Sequence, residues 1–291
     1  MIDQADAIEH RFSLRAFSLL ICDRDDSPEL VDVHRFTQAW EKTASLELRH
    51  GRTPVIDTYL AHDRIHDGDA EAMTDAAYTA WRNDRQQGLV SVLIAETREN
   101  VTALNVRARA DLILDGTLKL GPEITLSDGS MAGVGDTIIT RHNDRRLRNR
   151  HGWVRNGQTW TITAVRDDGS VTIRPPGARF GNSIVLPADY VAEHVDLGYA
   201  VTAHRAQGLT TDTAHVLVEP TTRENLYVAM TRGRESNRAY VILDRPDDHA
   251  TAHPGDNPDA TARTVLYGVL QHSGAELSAH ETITAEQDRW G

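Results

Sequence analysis

The chain has 291 residues, 40% of them hydrophobic and 25% charged, with a net charge of −12. That length leaves room for one large domain or two smaller ones, and the single cysteine, Cys22, excludes an intrachain disulfide and points to a reducing, cytoplasmic setting. No apolar run approaches the length of a membrane span, and the acidic start M-I-D-Q-A-D-A-I-E-H lacks the regions of a signal peptide, so no membrane partner is expected.

In chain order, residues 1–29 are poorly defined: F-S-L-R-A-F-S-L-L-I suits a helix or a strand, and D-R-D-D-S-P breaks it at Pro28. From Glu29 a helix-forming segment runs through W-E-K-T-A-S-L-E-L-R, ended by Gly51 and Pro54. Met73, Ala76, Ala77, Ala80 and Trp81 recur at helical spacing and predict a second helix over Ala70 to Asp84. G-L-V-S-V-L-I-A, Gly88 to Ala95, is an apolar run of strand length, as in strands buried on both faces of a parallel sheet. Thr97 is the expected N-cap of a helix whose Val101, Leu104, Ala108 and Leu112 share one face. Strand then helix is the unit of an α/β domain.

From about Leu126 the pattern changes. D-T-I-I-T-R, T-W-T-I-T-A-V and S-V-T-I-R are short β-branched runs separated by the hairpin turns R-N-G-Q and R-D-D-G-S, which predicts a small antiparallel barrel over 126–190. Two further buried strands, A-H-V-L-V-E and R-A-Y-V-I-L, return the chain to the α/β pattern over 191–245. The barrel is therefore expected as an insertion in a domain that starts near residue 30. A linker and helical tail fill 246–291, with D-A-T-A-R-T-V-L-Y-G-V-L-Q-H as a helix and E-L-S-A-H-E-T-I-T-A-E-Q-D-R-W as a second candidate.

Charge is segregated. Asp144 alone opposes Arg141, Arg145, Arg146, Arg148, Arg150 and Arg155, a cluster that suits either a nucleic-acid footprint or a solvated hairpin face. Trp153 and Trp160, nearby, suit base stacking or barrel packing. H-D-R-I-H places His62 and His66 four apart, as in a zinc-protease helix, but Asp63 replaces the usual glutamate and no third ligand stands out, so no metal site is expected. A phosphate loop needs a lysine after a glycine-rich turn. The chain has two lysines, Lys42 in W-E-K-T-A and Lys119 in T-L-K-L-G, and neither follows such a turn.

Two motifs close the reading, T-A-H-R-A-Q-G (202–208) and Y-V-A-M-T-R-G-R (227–234). At this spacing, with A-H-V-L-V between them, they resemble motifs V and VI of superfamily 1, RecD-like DNA helicases, closest to the helicase part of conjugative relaxase-helicases. The resemblance covers roughly Leu30 to Leu243. It implies an α/β fold: a RecA-like parallel sheet with helices, interrupted by an inserted SH3-like β-barrel. It also implies that Arg232 is the catalytic arginine that reaches the γ-phosphate, joined by Arg35 of a motif IV-like D-V-H-R-F. Gln207, Gly208 and Arg234 would lie at the nucleotide. Thr202, His204, Thr97 and Arg98 would touch single-stranded DNA, with Arg145, Arg146 and Arg148 of the barrel. Thr210 stands where the family often has a glutamate. A core-packed His204, a surface Arg232 and a plain helix-surface Arg35 are the alternatives. The cofactor implied is ATP with Mg2+. With no Walker A lysine, the chain is expected to be inactive alone and to work with a separate polypeptide carrying the first RecA-like domain. A non-catalytic single-stranded DNA-binding module, or a truncated remnant, is the competing reading.

Overall fold

A computed structural model describes residues 36–150, 152–178, 181–243 and 260–274. Arg35, Cys22 and the second tail helix expected after residue 274 lie outside them.

Phe36 to Gln38 is not helical, with Gln38 extended, so the first described helix, α1 (Ala39–Arg49), does not run back through Phe36. A second helix, α2 (Val55–Ala61), follows Pro54 and stops before the histidine pair. His62 caps it and Asp63 takes φ +55°, so His62 and His66 share no helix, and the described residues hold no cluster able to bind a metal. Instead Ile65–Gly68 forms strand β1. Then come α3 (Ala70–Gln86), β2 (Ser91–Ala95) and α4 (Arg98–Leu114).

The insertion follows, with β3 (Glu123–Thr125), β4 (Met131–Gly133), β5 (Thr137–Thr140), β6 (Asp144–Asn149), β7 (Gly152–Val154), β8 (Gln158–Val165), β9 (Val171–Arg174), β10 (Ile184–Leu186), α5 (Ala188–His194) and β11 (Val195–Leu197). Five of these strands make an antiparallel sheet ordered β10-β9-β8-β5-β11, while β3–β4 and β6–β7 form separate hairpins. Both predicted turns are present, with Gly157 and Gly169 at φ +78°, a conformation that disfavours any residue with a Cβ, but only R-D-D-G-S closes a hairpin, β8–β9, because R-N-G-Q joins β7 to β8 in a different sheet.

The chain then returns through β12 (Ala200–Thr202), α6 (Ala203–Ala206), β13 (Thr211–Val218), α7 (Arg223–Ala229), β14 (Gly233–Ile242) and α8 (Ala262–Gln271). Strands β1-β14-β13-β2-β12 form a parallel sheet in that order. Every residue of β2 is buried, as its continuous apolar run requires. Alternate side chains serve two cores, because successive Cβ atoms point to opposite faces. Leu93 and Ala95 join Trp81, Leu104 and Tyr199, in a core that continues into Ile138 and Trp160 of the insertion. Val92 and Ile94 join Leu48, Val55, Leu226 and Leu266. Trp160 is thereby a packing residue, 2% exposed.

The run A-H-V-L-V conceals a buried histidine. His215 is fully buried on β13, with Nε2 2.8 Å from Asp84 Oδ2 and Nδ1 3.0 Å from the Tyr240 hydroxyl. An ionised Asp84 only accepts, so Nε2 carries the proton and Nδ1 accepts from Tyr240. Burial holds the imidazole below its ordinary pKa despite Asp84. The folded state therefore keeps His215 neutral where the unfolded chain takes up a proton. Stability is full above the unfolded value near 6.5 and is lost as pH falls below it, by up to about 1.4 kcal/mol per pH unit. Thermal melts from pH 7.5 to 5.5 test this at about half-unit steps. The decline should flatten in His215→Asn, and an equally steep decline in that variant would refute the assignment.

Candidate functional site

The carboxyl ends of three adjacent strands, β13, β2 and the edge strand β12, lie side by side because their register is parallel: Thr202 pairs with Ala95, and Ile94 with Val216. Each strand leads to a threonine that caps the following helix. Thr97, Thr202 and Thr222 accept from the backbone N–H of Asn100, Arg205 and Asn225 at 3.2, 3.3 and 3.3 Å. Cross-ties fix the row, since Asn100 donates to Glu219 at 3.1 Å and Asn225 to Glu96 at 2.9 Å. Of the residues expected to face DNA, Thr97, Arg98 and His204 are exposed here and Thr202 is half-buried. His204 is thus not a core histidine.

The amino ends of β13 and β14 carry the second group. Arg232 is 7% exposed. Its Nε donates to Val228 O at 2.6 Å, one terminal nitrogen to Ala206 O at 3.3 Å, and the other to Thr231 Oγ1 at 2.8 Å. The second arginine-rich motif is therefore tied to the backbone of T-A-H-R-A-Q-G, and the surface alternative for Arg232 falls. Gln207 and Gly208 are exposed beside this tie, and Gly208 has φ +91° with open space around it. Arg234 is more exposed and ion-paired with Asp212.

Because α6 leads from the end of β12 toward the start of β13, seven residues of one motif connect the two edges.

A buried brace holds the Arg232–Arg234 loop, and no sequence signal marked it. Asn237 is fully buried. It accepts from Gly233 N at 2.7 Å and donates to Gly233 O at 2.9 Å and Glu41 Oε1 at 2.8 Å. Glu41 is fully buried, and burial raises its pKa. A Cβ on Gly233 would stand 2.2 Å from Ser236 O, so the loop admits only glycine there. Thr37 donates its N–H to Arg234 O at 2.9 Å.

The three barrel arginines are adjacent in sequence and unequal in space. Arg146 is held by Asp144 at 2.7 Å, and that hydrogen bond brings the Asp144 carboxyl down to about 2. Arg145 and Arg148 are exposed on β6. Arg145 and Arg155 lie 5.5 and 5.2 Å from the centre of the half-buried Trp153 ring. The turn at Gly157 abuts the first motif: a Cβ there would lie 3.5 Å from Arg205 O and 3.7 Å from Gln207 O.

A family model described as an AAA domain matches residues 3–70. Over 242 residues the chain is 30% identical to a probable conjugal transfer protein TraA of Sinorhizobium fredii, an alignment covering 82% of this chain and 21% of that protein. Over 261 residues it is 28% identical to the multifunctional conjugation protein TraI of Escherichia coli, covering 86% of this chain and 13% of the relative. The chain thus spans a minor part of the length of these relatives. Among solved structures, the Pif1 helicase from Candida albicans aligns with a TM-score of 0.47 at 12% identity, over 89% of this chain and 59% of that one.

Proposed function

We propose that this superfamily 1 helicase-like chain, related in sequence to relaxase helicases, is the second RecA-like half of an ATP-dependent DNA motor acting in the cytoplasm. The supporting observation is the tie from Arg232 to Ala206 O, which joins the loop of the candidate phosphate-sensing arginine to the motif that borders the DNA edge. ATP with Mg2+ supplies phosphoryl-transfer chemistry when bound. The residues at the amino edge fit part of such a site: guanidiniums that match phosphate oxygens, an exposed amide at Gln207 and a glycine that lets the backbone approach closely. The phosphate-loop lysine comes from outside these 291 residues, on a separate polypeptide with the first RecA-like domain.

In this reading Arg232 exchanges carbonyl partners for phosphate oxygens as the cleft closes, and Arg234 lends a second positive charge. Any shift of Arg232 is felt at Ala206 and so at α6, whose other end carries Thr202 and His204. Those two, with Thr97 and Arg98, grip the backbone of single-stranded DNA. The antiparallel insertion takes the part of the SH3-like barrel and guides the strand with Arg145 and Arg148, while Arg146 contributes less because Asp144 neutralises it.

Mixing the chain with a polypeptide bearing the Walker A motif is the direct test. DNA-stimulated ATP hydrolysis should appear only in the mixture. Salt-dependent strand binding without any such hydrolysis would favour the non-catalytic binding module.

A further inference from the structure

Asp196 occupies a position that no motif marks. It lies on β11, last in the inserted sheet, just before the chain crosses to β12. Gly198 makes that crossing, and a Cβ there would stand 2.9 Å from the carbonyl carbon of Ile138, so the two sheets meet with no room for a side chain. The Asp196 side chain is 6% exposed. It accepts from Arg205 at 2.8 Å and from the Ser127 hydroxyl, with Arg141 Nε at 3.5 Å. Ser127 Oγ in turn accepts from Arg141 at 3.4 Å. One carboxylate thus fixes an arginine of each sheet.

Positive charge exceeds what Asp196 balances. Burial, and then the guanidiniums of Arg141 and Arg98, hold Arg205 below the ordinary arginine value, against the pull of Asp196. Two guanidiniums, Arg141 just after β5 and Arg205 within α6, therefore meet at Asp196, and Arg98, the first residue of α4, is near enough for its charge to bear on Arg205. Arg98 and Arg141 reach solvent, exposed and half-buried respectively. Asp144, at the start of the arginine hairpin, is three residues beyond Arg141. The cluster is thus continuous, through the chain, with Arg145 and Arg148 on one side and with the threonine row on the other.

We propose that Arg98, Arg141 and Arg205 form a seat for one backbone phosphate of single-stranded DNA at the seam between the two sheets, with Asp196 as the positioning residue that orients Arg141 and Arg205. The proposal rests on the reading of the carboxyl edge as a DNA edge, and it makes the insertion a structural partner of the motif V helix. Arginine suits the role because its planar fork can bind Asp196 with one edge and a phosphate with the other.

The test is fluorescence anisotropy of a labelled oligothymidylate with the full chain across a sodium chloride series. Arg141→Ala and Arg205→Ala should each weaken binding by about tenfold and lower the slope of log affinity against log salt by about one. Asp196→Asn keeps the shape and removes the opposing charge, so it should bind several-fold more tightly at low salt. Asp196→Leu releases both forks and should bind more weakly. Arg263→Ala, which breaks an exposed pair between Arg263 of α8 and Asp57 of α2, should match the wild type. If Arg205→Ala proves unfolded by circular dichroism, the half-buried Arg141 and the pair of Asp196 variants carry the decision. Wild-type affinity and slope in both Arg141→Ala and Asp196→Asn would overturn the seat and leave the DNA edge standing. A wild-type chain that binds no strand would overturn the DNA edge, and the seat with it. Inorganic phosphate competing better than chloride at equal ionic strength would assign the cluster to a free anion and overturn the strand assignment.

Discussion

Asn237→Leu is expected to lower the stability of the chain by about 3 kcal/mol, with little change in side-chain volume. The magnitude follows from what the substitution leaves behind. Asn237 is the hydrogen-bond partner of Gly233 N, Gly233 O and Glu41 Oε1, all in a fully buried place. Glu41 Oε2 already has no partner among the described residues. Without Asn237 the whole carboxyl would be stranded. Glu41→Gln gives the contrasting result. Its amide oxygen can still accept from Asn237, and the ionisable group is gone. Burial raises the folded pKa of Glu41 above its unfolded value, so the wild type loses stability as pH rises from the unfolded value toward the folded one. Glu41→Gln should therefore equal or exceed wild-type stability at neutral pH. Urea denaturation of both variants decides it: an Asn237→Leu midpoint indistinguishable from wild type would dismiss the brace.

What the sequence made legible was what neighbouring residues determine. The β2 run, the Thr97 cap and the turns at Gly157 and Gly169 all carry their cause within a few residues. The features that escaped depend on distant partners. I-H-D-G has no alternation or β-branched run, yet it is a strand because β14 offers a parallel register from Ile65↔Ala239 to Gly68↔Ile242. His204 and His215 look alike in sequence, but one follows a capped turn and the other sits mid-strand above Asp84. Arg145, Arg146 and Arg148 read as one cluster, and only the fold shows that Asp144 spends itself on Arg146. Arg205 was visible inside T-A-H-R-A-Q-G, but its partner Asp196 belongs to a different sheet. Nothing in W-E-K-T-A marks Glu41, yet it is fully buried beneath the arginine loop.

In the reconstituted reaction, Arg232→Ala is expected to reduce turnover by about three orders of magnitude, the scale of an arginine that meets charge developing on a transferred phosphoryl group. Strand affinity should stay within about twofold, because the proposed function places the DNA phosphates at the carboxyl edge, away from Arg232. The substitution also removes the link to Ala206 O and Thr231 Oγ1, so a folding control is needed, and Arg232→Lys provides a second measurement. An ammonium keeps the charge and lacks the fork, so it cannot hold those oxygens and a phosphate together. Lysine should therefore rescue little of the turnover. Arg234→Ala sets the comparison. Its guanidinium is more exposed and already paired with Asp212, so its loss should be the milder one, nearer about a hundredfold, the low end of the usual scale for a single electrostatic donor. The reverse order, with Arg234→Ala inactive and Arg232→Ala active, would move the phosphate contact to Arg234 and leave Arg232 as the structural tie between the two motifs.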